Sequence, residues 1–245
     1  GLVLTAEYSD LWKEDKKTET NEVMFALQHS AKHKIASNYG KSYYPSDYSP
    51  NAGWADYYGN EDFFKAYPND DRKEWNYMTE WKIKSGEIIP YTESADKLPA
   101  ISKYYDYDEG APGKSAQSNG ITCIYRYAEV LLMYAEASTR ATNSVNQDAL
   151  NAIQEVQKRA GYQDRQIELT TTTEPTAFLA AVSNERGWEF FAEMKRWFEL
   201  VRLEKVKEVR AEEWDASTFN TNHHYYFPVP YQQVDLAGWT NNAGY

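Results

Sequence analysis

Apolar residues recur with the 3.6-residue period of an amphipathic helix beyond residue 120. The repeat is carried at i, i+3, i+4, i+7, i+8 and i+11 by Ile124, Tyr127, Ala128, Leu131, Leu132 and Ala135. After a polar break, a second helix is predicted from Ala149, Ile153, Val156 and Ala160. Gly161 stands where a residue of positive φ would end it. The pattern therefore predicts two neighbouring helices that share a core.

Two further helical segments are predicted downstream. Pro175 lies near a helix start, and Phe178, Leu179 and Val182 form the apolar edge of the first segment. A long helix is predicted from Glu185 to about Lys205. Its apolar stripe consists of Phe190, Phe191, Met194, Trp197, Phe198 and Val201. We therefore interpret residues 121–205 as an array of helical hairpins.

The first 120 residues follow a different pattern. Spacing predicts a helix from Leu2 to about Asp15, and the short apolar run Glu22–Gln28 predicts a buried strand, with a helix as the alternative. A short helix is expected within 60–72, followed by a strand or hairpin that turns at Ser85-Gly86. Two domains result: 1–120, a loop-rich ligand-binding segment with short helices and minor strands, and 121–245, a helical hairpin subdomain with a C-terminal tail.

Charge and cysteine content exclude several classes of function. The chain has 245 residues, and 26 basic against 37 acidic side chains leave a net charge of −11. This charge argues against nucleic acid or an anionic membrane surface as a partner. A single cysteine, Cys123, rules out an intrachain disulfide and a multi-cysteine metal site, and its apolar neighbours predict a buried, inert thiol.

Aromatic residues are concentrated in an irregular segment. Aromatics form 16% of a chain whose mean hydropathy is −0.78. Segment 37–60 has loop chemistry but contains seven of them: Tyr39, Tyr43, Tyr44, Tyr48, Trp54, Tyr57 and Tyr58. Tyrosine and tryptophan offer flat contact area with a polar edge, and functional residues concentrate in long loops. Sugar rings and peptides are ligands of the expected kind.

The candidate ligand-binding residues follow from this segment. Stacking rings are predicted at Tyr43, Tyr44, Trp54, Tyr57 and Tyr58, hydrogen-bonding partners at Asp47, Asn51 and Asp56, and outer contacts at Trp75 and Trp81. For any single ring, the alternative is that it pins the loop to the body of the protein.

Other chemistry is weakly supported. His29 and His33 would share a helix face but lack a third ligand, so no metal site is predicted. The acidic pairs Asp70–Asp71, Glu61–Asp62 and Asp106–Asp108 are expected by chance among so many acids. No phosphate loop or nucleophile elbow occurs, and neither a catalytic residue nor a cofactor is predicted. The charges between 185 and 202 are interpreted as ion pairs.

Several motifs in succession resemble the C-terminal part of SusD/RagB-type proteins. They are Arg126-Tyr-Ala-Glu-Val-Leu-Leu-Met-Tyr-Ala-Glu-Ala137, Arg159-Ala-Gly161, Glu185-Arg186 with Arg196-Trp-Phe-Glu-Leu-Val-Arg202, and Phe227-Pro-Val-Pro230 with Asn242-Ala-Gly-Tyr245. Gly187 and Met194 stand where the family has Arg and Gly. Gln154 and Gln157 stand where Asn and Arg are usual.

The resemblance implies a mostly α fold with tetratricopeptide-like helical hairpins, a loop-rich segment and minor β structure. It implies non-enzymatic capture of a glycan at the extracellular face of the outer membrane and delivery to a SusC-like TonB-dependent transporter. Family members are about twice as long and carry an N-terminal lipid anchor, so the chain is expected to be a C-terminal half whose membrane link lies elsewhere.

Three alternatives remain at this point. The first keeps the binding function but replaces the glycan with a peptide. The second makes the chain a helical-repeat scaffold whose aromatic groove holds a partner protein. The third, with the weakest support, is a glycoside hydrolase.

Overall fold

The fold was analysed in a computed structural model that describes residues 1–49, 52–104, 118–209 and 220–245. It is mainly helical and forms two compact units, Gly1–Glu193 and Met194–Tyr245. The elements in chain order are β1 Val23–Gln28, α1 Tyr39–Tyr43, α2 Glu61–Ala66, α3 Asp71–Asn76, β2 Tyr77–Met78, β3 Glu80–Lys82, β4 Ile88–Pro90, β5 Ala100–Ile101, β6 Ile121–Arg126, α4 Tyr127–Thr142, α5 Gln147–Arg159, α6 Pro175–Glu189, α7 Arg196–Arg202, α8 Val206–Val209, α9 Thr221–His224 and α10 Tyr231–Ala237.

The predicted helical hairpin is present as α4 and α5, which pack on α6 around one apolar core. The Asn146 side chain caps α5 by accepting from the Ala149 amide, and Glu174 caps α6 ahead of Pro175. Gly161 follows α5 with a φ of +83°. A Cβ there would lie 2.3 Å from an Asp71 carboxylate oxygen, so this position needs glycine for two reasons.

Three helix predictions are wrong in their bounds. Ile124 lies in β6, because residues 121–126 pair with β1 before α4 begins. The long helix from Glu185 to Lys205 is interrupted, since α6 ends at Glu189 and α7 begins at Arg196. Residues 2–15 contain only a 3-10 turn, Tyr8–Leu11. In the described part of the chain, no helix is long and apolar enough to cross a membrane.

Among the described residues of the first unit, three two-stranded antiparallel sheets are formed: β1–β6, β2–β5 and β3–β4. The β3–β4 hairpin confirms the predicted turn at Ser85-Gly86. Strand β1 is confirmed, but its predicted burial is wrong, because Met24, Phe25 and Leu27 are exposed. Since β1 and β6 pair across residue 120, that residue is not a break in the fold. The assignment of ligand binding to 1–120 stays a prediction.

A second core lies beneath the irregular segments. Its buried side chains are Tyr8, Leu11, Trp12, Tyr43, Ile101, Tyr104, Ile121 and Cys123. The burial of the Cys123 thiol is as predicted. The ring of Trp12 packs edge-on against Tyr8 and Tyr104, with centroids 5.9 and 5.7 Å away. Aromatic edge contacts therefore replace regular secondary structure in this part of the molecule.

A network of buried charges ties this core to the helices. We call it the buried ion network; its acids are Glu22, Asp70, Glu185, Glu189 and Glu193, and its bases are Arg72, Lys103, Arg126 and Arg159. Arg126 donates to Glu22 at 2.8 Å, to both Glu193 oxygens at 2.8 and 3.1 Å, and to Glu189. Arg72 joins Asp70, Glu185 and Glu189. Of the charges between 185 and 202 that are interpreted as ion pairs, Glu185, Glu189 and Glu193 pair inside the protein, whereas Arg196 pairs with Glu199 along α7.

Opposing effects set the protonation of this network. Burial alone would raise the pKa of Glu189, but Arg159, Arg126 and Arg72 outweigh it and hold that pKa below its ordinary value. Burial lowers the pKa of Lys103 to about 8, against the attraction of Glu193. The carboxylates of Glu189 and Glu193 therefore remain charged inside the protein because they are surrounded by cations.

Removing one member of the network should be strongly destabilising. Glu189→Gln removes a negative charge that pairs with the buried guanidinium groups of Arg126 and Arg159. We therefore expect a loss of about 3–5 kcal/mol in the free energy of unfolding. Urea denaturation at neutral pH measures it. The control is Glu74→Gln, which breaks the exposed pair with Arg165 and should cost below about 1 kcal/mol. Equal losses in both variants would contradict the structural role of the network.

The turn between α6 and α7 predicts a stabilising substitution. Met194 has a φ of +60°, a left-handed conformation that a side chain disfavours, and its side chain is 59% exposed. Met194→Gly should raise the free energy of unfolding by up to about 1 kcal/mol. Met133→Gly, at an equally exposed position within α4, should lower it by about 1 kcal/mol. Thermal melts of the two variants should shift in opposite directions.

Candidate functional site

Helix α1 and residues 53–57, which run back along it, form the scaffold of the candidate site. The amide of Trp54 donates to the Lys41 carbonyl at 2.7 Å, and the amides of Asp56 and Tyr57 donate to the Ser42 carbonyl at 2.9 and 3.3 Å. At Gly53 a Cβ would lie 2.0 Å from the Tyr44 carbonyl oxygen, so only glycine allows this approach. Backbone contacts thus fix a segment that has no regular structure.

Two aromatic rings of this segment face solvent. Trp54 is 50% exposed and Tyr57 is 61% exposed. The ammonium group of Lys41 lies 5.0 Å from the centroid of the Trp54 ring, a cation–π contact that orients the indole. Asp56 stands between the two rings in sequence and is also exposed. We refer to Lys41, Trp54, Asp56 and Tyr57 as the Trp54–Tyr57 surface.

Other predicted rings support this surface from below. Tyr43 is buried and lies between Tyr57, at 5.7 Å, and Tyr104, on which it stacks at 5.9 Å. Burial raises the pKa of Tyr43 to about 12. Tyr44 is 1% exposed and packs edge-on with Tyr48 at 4.7 Å. In this structure Tyr43 and Tyr44 therefore hold the loop to the body of the protein, which is the alternative given above for any single ring.

The remaining predicted residues take different structural positions, and one of them joins the segment to the β3–β4 hairpin. The Trp81 indole is buried and donates to Asp47 at 2.8 Å. Tyr58 donates to Asp96 at 2.6 Å; burial, with this bond, raises the Tyr58 pKa. Trp75 is half-buried on α3, where the Lys13 ammonium lies 5.6 Å from its ring. Asn51 lies outside the described residues.

The structure thus separates the predicted residues by role. Trp54, Asp56 and Tyr57 present groups to solvent from one backbone segment, whereas Tyr43, Tyr44, Trp81 and Asp47 are engaged in packing. Sequence reasoning missed Lys41. Its position beside the aromatic run was a usable signal, but only the return of the chain to α1 places its ammonium against Trp54.

The weaker chemical candidates take other positions. His29 and His33 are not on a helix; His29 contacts the Thr122 hydroxyl at 2.7 Å, and His33 contacts Ser30. Asp70 is buried against Arg72, Asp71 pairs with Arg165, and Glu61 pairs with Lys65. Asp106 and Asp108 lie outside the described residues. Within the described ranges, no group of three or more His, Cys, Asp or Glu side chains is placed to hold a metal ion.

Comparison with known proteins decides the family. The sequence model of the SusD family matches residues 76–245, more than half of the chain. The chain belongs to the SusD family. SusD-like protein P2 of Formosa agariphila is 25% identical over 268 aligned positions, which cover all of this chain and 52% of that protein. The SusD-family chain therefore spans about half the length of this curated relative.

Solved structures agree on the fold. A SusD superfamily protein from Parabacteroides distasonis superposes with a TM-score of 0.78 at 22% identity, covering 100% of this chain and 54% of that one. Surface glycan-binding protein A from Bacteroides thetaiotaomicron, solved in complex with laminarihexaose, gives a TM-score of 0.71 at 24% identity, covering 98% and 56%. These likenesses confirm the predicted SusD-like fold.

The burial pattern of the site predicts which rings can be removed without unfolding the protein. Trp54→Ala and Tyr57→Ala truncate half-exposed rings and should change the free energy of unfolding by less than about 1 kcal/mol. Tyr43→Ala empties a buried aromatic position and should cost roughly 3 kcal/mol or more. Chemical denaturation of the three variants measures the difference. A large loss in Trp54→Ala would show that this ring is structural as well.

Proposed function

We propose that the chain contributes a non-catalytic binding surface for an oligosaccharide, centred on Trp54 and Tyr57. The observation that carries the proposal is the exposure of these two rings on a segment that backbone hydrogen bonds hold in place. An aromatic ring that is already fixed loses little entropy when a ligand stacks on it. Such a surface suits a ligand with flat apolar faces.

The chemistry of the surface matches a sugar chain. A pyranose ring presents C–H groups on its faces, which pack on an aromatic plane, and hydroxyl groups at its edge. The Asp56 carboxylate can accept from such hydroxyls, and the Lys41 ammonium can donate to them. One cation and one anion beside the rings favour a neutral ligand over a polyanion. The proposed ligand is therefore a neutral oligosaccharide.

Relatives support the same ligand class. One structural neighbour is solved with laminarihexaose, and another, with a TM-score of 0.70, is described as a laminarin binding SusD-like protein. These ligands belong to those proteins, and identities of 24% and 19% do not carry a linkage over to this chain. They do make glucans the first oligosaccharides to titrate.

The wider role is proposed from family membership. In this proposal the whole protein is a lipoprotein on the extracellular face of the outer membrane, where it passes its glycan to a SusC-like TonB-dependent transporter. Stacking on Trp54 and Tyr57 binds the ground state of a sugar without preferring a transition state, so it lowers free energy uniformly and does not accelerate hydrolysis. Binding without turnover is what a capture protein requires.

Calorimetry with laminari-oligosaccharides tests the proposed ligand site. Trp54→Ala removes a central stacking ring, and truncating such an anchor typically costs about 2 kcal/mol or more, so binding should weaken roughly thirtyfold. Tyr57→Ala should weaken it in the same direction. Tyr134→Ala, which removes an exposed ring on α4, is the matched control and should leave the affinity unchanged.

The same samples separate the alternatives. Incubation with the oligosaccharide should release no reducing ends above a blank; release that one acidic substitution abolishes would establish a hydrolase. Wild-type binding that is insensitive to both Trp54→Ala and Tyr57→Ala would place the glycan elsewhere. Binding of peptides but of no oligosaccharide on an array would refute the glycan proposal.

A further inference from the structure

A cavity of about 270 Å³ opens in the first unit beside α5 and α6. Its lining residues are Ala66, Pro68, Gln157, Tyr162, Ile167, Glu168, Thr170, Ala181, Asn184 and Trp188. None of these residues belongs to the Trp54–Tyr57 surface. We call this space the Trp188 cavity, after its largest ring, which is partly buried.

Hydrogen bonds fix the base of the Trp188 cavity. The side-chain oxygen of Gln157 accepts a hydrogen bond from the Thr170 backbone amide at 2.8 Å, and its side-chain nitrogen donates to the Thr170 hydroxyl at 2.8 Å. The Gln157 side-chain nitrogen also donates to a Glu185 carboxylate oxygen at 3.2 Å, and the Tyr162 hydroxyl donates to that same oxygen at 3.2 Å. Since Glu185 is also held by Arg72, the base is continuous with the buried ion network. The cavity is therefore preformed.

The wall and the rim differ in chemistry. Trp188, Ile167 and Ala181 supply apolar surface, and the backbone carbonyl of Trp188 is anchored by the Tyr67 hydroxyl at 2.5 Å. Glu168 and Asn184 stand exposed at the rim, and neither side chain has a hydrogen-bond or ion-pair partner among the described residues. An apolar wall with a few convergent polar groups is the usual composition of a small-molecule site.

We propose that the Trp188 cavity is a second binding site, which takes a single sugar residue. Its volume lies just below the range of roughly 300–1,000 Å³ typical of sites for drug-sized ligands, so it suits one ring rather than a chain. One face of a pyranose would pack on Trp188, while its edge hydroxyls donate to Glu168 and bond with the Asn184 amide. The site is a pocket for one residue, in contrast to the open Trp54–Tyr57 surface.

This inference does not depend on glycan binding at the Trp54–Tyr57 surface. Its test is saturation-transfer NMR of the 245-residue chain with methyl β-D-glucopyranoside and methyl β-D-galactopyranoside. So small a ligand should bind with a dissociation constant of millimolar order. Glu168→Ala and Asn184→Ala alter exposed rim residues only, so both variants should fold normally, and each should weaken binding by roughly tenfold.

Two controls locate the binding. Asn151→Ala replaces an exposed asparagine on α5 outside the cavity lining and should leave the signal unchanged. Trp54→Ala should also leave it unchanged, whatever that variant does to oligosaccharide affinity. Absence of saturation transfer to both glycosides in the wild type would overturn the proposal. So would a signal that Trp54→Ala abolishes and the two rim variants leave intact.

Discussion

The guanidinium group of Arg126 is the point on which the first unit depends. It ends β6 and stands immediately before α4, and its donors reach Glu22 in the N-terminal segment and Glu189 and Glu193 at and just beyond the C-terminal end of α6. Burying a charge is costly unless it is paired and hydrogen-bonded, so these acids must approach it in one geometry. The irregular N-terminal segments are therefore positioned by charge pairing and aromatic packing more than by sheets.

Packing and hydrogen bonds connect the buried ion network to both proposed binding sites. Lys103, fixed by Glu193, lies over the Trp12 ring at 4.2 Å, and Trp12 packs on Tyr104, which stacks beneath Tyr43. On the other side, Glu185 joins Arg72 to the base of the Trp188 cavity. A solvent-facing ring and a preformed cavity are thus supported by one buried ion network. This arrangement gives loops the rigidity that binding surfaces need.

Two kinds of binding geometry follow from this support. The Trp54–Tyr57 surface is exposed and can accept an extended chain of sugars, whereas the volume of the Trp188 cavity suits one residue. Both combine an apolar ring with a carboxylate and a second polar side chain. The SusD fold is shared with the solved relatives, whereas the residues proposed to bind sugar here belong to this chain's own local structure.

Local pattern in the sequence determined much of the helical half. The 3.6-residue repeat, Pro175 near a helix start and Gly161 at a positive φ are local features, and α5 and the start of α6 form where they predict. The order of the motifs also sufficed to indicate the family. The aromatic segment was identified as a candidate site because its composition is unusual for a loop.

Tertiary structure alone decided the rest. Ile124 fits a helical repeat and a strand alternation equally well, and pairing with β1 selects the strand. Apolar spacing continues from Glu185 through Lys205, but α6 ends at Glu189, and the left-handed residues Ala192 and Met194 keep the chain from continuing as a helix before α7 begins at Arg196. Among seven adjacent rings, the sequence does not distinguish Trp54 and Tyr57 from Tyr43 and Tyr44. Whether a ring is exposed depends on whether it packs on residues distant in sequence, as Tyr43 packs on Tyr104. Only the folded chain sets such contacts.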